Sequence, residues 1–291
     1  MLPFAKILLP VDFSERSPGA VRYARVLACR YKSELTLLHV LEPPHYELSG
    51  LEIGGGAALT QFYNNRAAQA KEDLEGFLAD ELAGLPLRRV VLEGDTAQRI
   101  VEHAHNEGVN LIVMPTHGYG PFRRFILGSV TAKVLHDADC PVWTGAHMEA
   151  VPAAGTVVFH HVLCAVDLGP HSAKVLGMAA GLTADLEAKL TILHATPALE
   201  AGQARYFDPQ WRVTLAKQAR EQIDTLKSAI GTPAEVVIEP GDIPKVVASV
   251  AKREQADVIV IGRGHTEGVL GRLRAHSYAI IRESPCPVLS V

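Results

Sequence analysis

The chain has 291 residues, 48% of them hydrophobic, with 28 Lys and Arg set against 32 Asp and Glu. The length suits about two domains of ordinary size, and the near balance of charge leaves no polybasic footprint for nucleic acid. No apolar run approaches the roughly 18 residues of a membrane span. Met1 to Lys6 lacks the charged and apolar regions of a secretory signal. Cys29, Cys140, Cys164 and Cys286 form no C-x-x-C pair, so neither a zinc site nor a redox pair is signalled. A soluble cytoplasmic protein with reduced thiols is expected.

In chain order, Lys6–Val11 is a short apolar, β-rich run. Pro18 to Lys32 carries Val21, Ala24, Ala28 and Tyr31 at helical spacing. Leu35–Val40 has the character of a buried strand, and a Gly- and Pro-rich loop follows from Glu42 to Gly56. A long helix is expected over Ala67–Leu82 and a strand over Leu87–Leu92. Asp95-Thr96-Ala97-Gln98 resembles a capping box and opens a helix to about Asn106. Leu111–Met114 is the fourth strand, a helix starts near Gly128, and Pro141–Thr144 is the fifth strand.

The same order then returns, with strands near Val158–Val166, Lys189–Ala195, Ala234–Glu239, Val258–Ile261 and Val288–Val291. Particular residues return with it. Asp12 after the first strand is answered by Asp167, and His39 by His194, both 155 residues on. Gly94-Asp95 is answered by Gly241-Asp242, and Cys140-Pro141-Val142 by Cys286-Pro287-Val288. Ordered matches at a nearly constant offset mark a duplicated domain, with a period too long for a solenoid. The domains are placed at residues 1–146 and 157–291, joined by a linker from Ala146 to Thr156 that contains Pro152 and Gly155. Strands alternating with helices predict α/β halves with a parallel sheet covered on both faces and right-handed crossovers.

In such sheets a ligand binds beyond the carboxyl ends of the strands, near the reversal of strand order. In the first half that region holds Pro10, Asp12, Val40, Gly94 and the loop after Met114. This loop reads Pro115-Thr116-His117-Gly118, nine residues, then Gly128-Ser129-Val130-Thr131. Glycines admit a close phosphate, and the N–H groups opening a helix bind anions. For Asp12 and Asp167 the plain alternative is a helix N-cap. For Gly118 and Gly128 it is a turn at positive φ, and for Ser129 an N-cap. His39 and His194 are read as structural, and His45, His160 and His161 have no ligand spacing. Cys140 and Cys286 are read as small buried apolar residues rather than nucleophiles.

With these residues in place, each half resembles a universal stress protein domain, and the chain resembles a tandem member of that family. The resemblance implies two adenine nucleotide alpha hydrolase-like, Rossmann-like domains packed about a pseudo-two-fold axis. It implies ATP, with Mg2+ on the phosphates, in the first half. Asp12, Val40, His117, Gly118, Gly128 and Ser129 fall on motif positions, with Pro10, Met114, Val130 and Thr131 beside them. Pro115 replaces the first motif glycine and has no N–H to donate.

A second, weaker site would comprise Asp167, Ala195, Gly262, Gly264, His265 and His276. Its phosphate-side glycine is lost: Ala275-His276 takes the place of Gly-Ser when counted forward, and Arg274 replaces Gly128 when counted back from Cys286. No metal site and no catalytic residue is assigned. The sequence has no P-loop, and Arg123 and Arg124 are the only clamp in sight, so at most slow ATP hydrolysis is expected. A nucleotide-binding stress or signalling module is the leading expectation. A nucleotide-free scaffold and a slow ATPase are the alternatives, and further homodimer formation is left open.

Overall fold

The computed structural model describes residues 4–42, 56–116, 127–145, 157–196, 209–263 and 272–291, with backbone only for 56–60, 62, 63, 209, 210, 212 and 272–275. The chain divides into two compact units, Met1–Val142 with Met148–Val157, and Trp143–His147 with Val158–Val291. The expected linker, 146–156, lies outside the described residues, as does most of the loop expected after the second strand.

The first half runs β1 (Lys6–Pro10), α1 (Ser17–Tyr31), β2 (Glu34–Leu41), α2 (Gly56–Gly76), β3 (Leu87–Glu93), α3 (Thr96–Asn106), β4 (Leu111–Val113), α4 (Ser129–Asp137) and β5 (Val142–Thr144). Its strand order is β3-β2-β1-β4-β5. β1 pairs in parallel with β2 on one side and β4 on the other, and β2 pairs in parallel with β3. The central strands are apolar on both faces. Ile7, Leu8, Leu9, Leu35, Leu37, Leu38, Leu111, Ile112 and Val113 are all buried, as a parallel sheet between helices requires.

The second half repeats the plan as β6 (His161–Ala165), α5 (Ser172–Leu186), β7 (Lys189–Thr196), α6 (Pro209–Ile230), β8 (Glu235–Pro240), α7 (Ile243–Arg253), β9 (Val258–Ile261), α8 (Arg272–Glu283) and β10 (Val288–Ser290). Its order is β8-β7-β6-β9-β10, with parallel pairing throughout. The repeat extends to register. Ile7 faces Leu35 across β1 and β2, and Val162 faces Leu190 across β6 and β7, each partner 155 residues on. Backbone strain repeats too. Phe13 and Leu168 take left-handed φ of 59° and 61°, and the C-caps Lys32 and Glu187 take 53° and 56°.

Two boundaries depart from the sequence reading. The second helix spans Gly56–Gly76 rather than Ala67–Leu82. The left-handed Leu78, φ 47°, breaks it early, while Leu74 and Leu82 still reach the core. The first strand of the second half starts at His161 rather than Val158. The backbone N–H groups of His160 and His161 donate to the Asp257 carboxylate instead, and Val158 is 56% exposed. The Asp95 cap stands as expected: its Oδ1 accepts from Gln98 N at 2.8 Å. That bond and the Lys133 ammonium hold its carboxyl below the usual carboxylate range.

Gly94 closes the turn between β3 and α3 at φ +137°, where L side chains rarely sit, and donates to Leu41 C=O at 3.0 Å. A Cβ there would stand 2.7 Å from Arg99 Nε, which itself donates to Glu93 C=O. Gly94→Ala is expected to destabilise the protein by about 1–3 kcal/mol, seen as a lower midpoint in urea unfolding. A midpoint equal to wild type would refute the strain.

Candidate functional site

Because β1 lies between β2 and β4, strand order reverses at β1, and the crevice beyond its carboxyl end is where a ligand fits. A cavity of about 550 Å³ opens there. Of the residues expected from sequence, Pro10, Asp12, Val40, Met114, Pro115, Gly128, Ser129, Val130 and Thr131 all line it. His117 and Gly118, with Arg123 and Arg124, lie outside the described residues.

Asp12 is not the helix cap. The N-cap of α1 is Arg16. The Asp12 Oδ1 instead accepts from Ser14 N at 3.0 Å and Ser17 Oγ at 2.8 Å, tying the loop after β1. The left-handed Phe13 produces this turn. Asp167 does the same for its own loop, accepting from Gly169 N and Ser172 Oγ at 2.9 Å each. The fold therefore uses one oxygen in both halves. Among the described residues the other oxygen of Asp12 has no partner.

Gly128 also departs from its plain reading. It is the N-cap of α4, at φ −61° and ψ 147°, a conformation open to any L residue. Positive φ is thus not why glycine stands there; absence of a side chain beside the cavity is the physical consequence. Ser129 is consequently the first helical residue rather than the cap, and it is exposed. Ala132 N donates to Gly128 C=O. The N–H groups of Ser129, Val130 and Thr131, all cavity-lining, precede that first bond and have no intrahelical acceptor. They form a cluster of donors at the positive end of α4. Thr131 is buried and its Oγ1 donates to Pro115 C=O at 3.0 Å, so its hydroxyl serves the fold.

His39, His194 and His161 are tied into the fold. His39 Nδ1 donates to Val11 C=O at 2.8 Å, and His194 Nδ1 to Val166 C=O at 2.9 Å. His161 is buried, with Nδ1 on Glu254 C=O and Nε2 on Thr191 Oγ1. Burial pushes the Cys164 and Cys286 thiols up to about 12, which keeps them from acting as thiolates. Cys140 is half-buried rather than buried. Among the described residues no group of three or more His, Cys, Asp or Glu could hold a metal ion, and no helix is long and apolar enough to cross a membrane.

Sequence reasoning missed Glu42, Arg66 and Thr96, which also line the cavity. Thr96 Oγ1 donates to Glu42 Oε1 at 2.7 Å and Arg66 Nη1 to Glu42 C=O at 3.3 Å. Glu42 could have been found as the residue just beyond the second strand, and Thr96 from the capping box. Nothing in the local sequence marked Arg66.

In the second half the equivalent end is built differently. Ser277 Oγ donates to Gly262 C=O at 3.3 Å, matching Thr131 on Pro115. That match fixes the register and places Arg274 opposite Gly128, as counting back gives. α8 begins at Arg272, whereas the counterpart of α4's first residue is Ala275. One more turn of helix is wound, so the counterparts of Val130 and Thr131 fall past the orphan N–H groups. Asp167 and Ala195 keep their places after β6 and near the end of β7, His276 lies half-buried within α8, and Gly264 and His265 lie outside the described residues.

A duplicated, doubly wound α/β domain with a ligand crevice at the strand-order reversal defines a tandem Rossmann-like protein. The sequence model of the universal stress protein family matches residues 3–144 and again 159–291, and the chain belongs to that family. It is 38% identical over 140 residues to a universal stress protein of Methanothermobacter thermautotrophicus, covering 48% of this chain and 93% of that one. It is 27% identical over 150 residues to universal stress protein MJ0577 of Methanocaldococcus jannaschii, covering 48% of this chain and 93% of the relative. Each relative thus corresponds to about half of the chain. The crystal structure of a universal stress protein from Archaeoglobus fulgidus shares the fold over 98% of this chain and 95% of its own, at TM-score 0.65 and 22% identity.

Proposed function

We propose that the protein is a nucleotide-responsive stress module that binds ATP in its first half. The observation that carries this reading is the crevice of about 550 Å³ in which Asp12, Val40 and Gly128–Thr131 meet. The phosphates would lie on the N–H groups of Ser129, Val130 and Thr131, where the helix end favours anions. Gly128 leaves room for their approach. The second oxygen of Asp12 would accept from ribose hydroxyls, and the base would lie along the end of β2 at Val40. Mg2+ would ride on the phosphates.

The second half would bind nucleotide weakly or not at all, since α8 starts a turn earlier than α4 and arginine stands at the sequence position of Gly128. We further propose that the domains, 1–146 and 157–291, pair as an intramolecular counterpart of a dimer. The support is the internal repeat and relatives that each match one half. The family and the charge balance favour a cytoplasmic protein whose partners are neither nucleic acid nor membrane. The sequence carries no P-loop to position and neutralise the phosphates, so hydrolysis would be slow at most.

Purified protein is expected to release adenine nucleotide on denaturation, identified by chromatography and mass spectrometry. Calorimetry of nucleotide-free protein should give one ATP per chain. Two equivalent sites would refute the asymmetry. No binding at all would leave the nucleotide-free scaffold.

A further inference from the structure

The cavity has chemically different ends. β2 and β4 flank β1 on opposite sides, so Glu42, one residue past β2, and α4, which follows β4, stand on opposite sides of Asp12. At the α4 end are N–H donors. At the β2 end is a carboxylate, an acceptor that repels phosphate and demands an N–H or O–H from whatever lies against it. Glu42 is exposed, yet its position is fixed from two further elements. Thr96, opening α3, spends its hydroxyl proton on Glu42 Oε1 at 2.7 Å. Arg66, on α2, donates to the Glu42 carbonyl at 3.3 Å. The threonine bond leaves Glu42 Oε2 as an acceptor without a partner among the described residues.

We infer that Glu42, positioned by Thr96, is a specificity-determining residue that accepts a hydrogen bond from an exocyclic amine on the base. It would favour an aminopurine nucleotide over one with a carbonyl at the same place, because a carbonyl facing a carboxylate leaves two acceptors opposed and unpaired. The inference rests on the nucleotide reading above and adds a selectivity to it. ATP and ITP share sugar and phosphates and differ at this group, so they isolate it.

The test is calorimetry of the full chain with ATP and with ITP for wild type, Glu42→Gln and Thr96→Ala, each first checked by thermal melting. Wild type is expected to prefer ATP by about tenfold, the effect of one hydrogen bond to a charged group. Glu42→Gln should bring the two ligands within about twofold, since an amide both donates and accepts, and Thr96→Ala should lower the preference part of the way. An unchanged preference in Glu42→Gln would overturn the inference while leaving the nucleotide site standing. Equal weakening of ATP and ITP would overturn it too, by assigning Glu42 to the sugar. Wild type that binds neither nucleotide would remove the site itself, and the selectivity with it.

Discussion

Gly128→Arg is expected to abolish ATP binding, lowering affinity by a hundredfold or more, about 2.7 kcal/mol, with little change in melting temperature. The backbone at Gly128 is ordinary, φ −61° and ψ 147°, so a side chain can be added without backbone strain. Gly128 lines the cavity beside the orphan N–H groups of α4, so the added side chain would take the space the phosphates need. Arginine already stands at the corresponding sequence position, Arg274, in the second half. A guanidinium could attract phosphate as well as block it, so Gly128→Val belongs beside it. Valine suits extended backbone and carries no charge. Both variants are expected to lose ATP in calorimetry. Wild-type affinity in either, in a folded protein, would show that the space in front of Gly128 is not the phosphate site.

Asp12→Asn is expected to weaken ATP by about ten- to a hundredfold, or roughly 1.5–3 kcal/mol, the effect of losing a hydrogen bond to a charged acceptor. Stability should fall only slightly, because the bonds from Ser14 N and Ser17 Oγ both go to Oδ1 and an asparagine carbonyl can still accept both, without the carboxylate's charge. Asp167→Asn is the internal control. Its loop is held by the same two kinds of bond, but α8 starts a turn earlier than α4, so ATP affinity should stay at wild type if the second half takes no nucleotide. Equal and negligible changes at both positions, by titration and thermal melting, would rule out the ribose role and leave both aspartates as loop ties.

Much of the architecture could be read from local sequence, for a physical reason. A parallel sheet covered on both faces needs short uninterrupted apolar strands. Runs such as Leu111–Val113 and Val258–Ile261 therefore stand out against the amphipathic helices between them. The duplication was legible because both copies keep the residues that close their turns, Asp12 with Asp167 and Gly94 with Gly241. Boundaries were less legible where no apolar contrast marked them. The early part of α2 follows directly on the run Gly54-Gly55-Gly56, which reads as loop, and the start of the second half's first strand is set by backbone N–H groups of His160 and His161 that donate to Asp257, almost a hundred residues away.

The sequence by itself determined the strand-helix alternation, the repeat, and the residue types at the strand ends where a ligand can bind. It could do so because period, capping and glycine placement are local properties of the chain. Only the tertiary structure decided how those residues are held. It showed that one oxygen of Asp12 is committed to its own loop, that Gly128 needs no special backbone, and that Arg66 from α2 reaches the end of β2. It also showed that Ser277 Oγ bonds Gly262 C=O as Thr131 Oγ1 bonds Pro115 C=O, which settles the register of Arg274. Each of these depends on groups brought together by the sheet or by the start of a helix, and spacing along the chain does not encode which oxygen, φ angle or N–H group is left over.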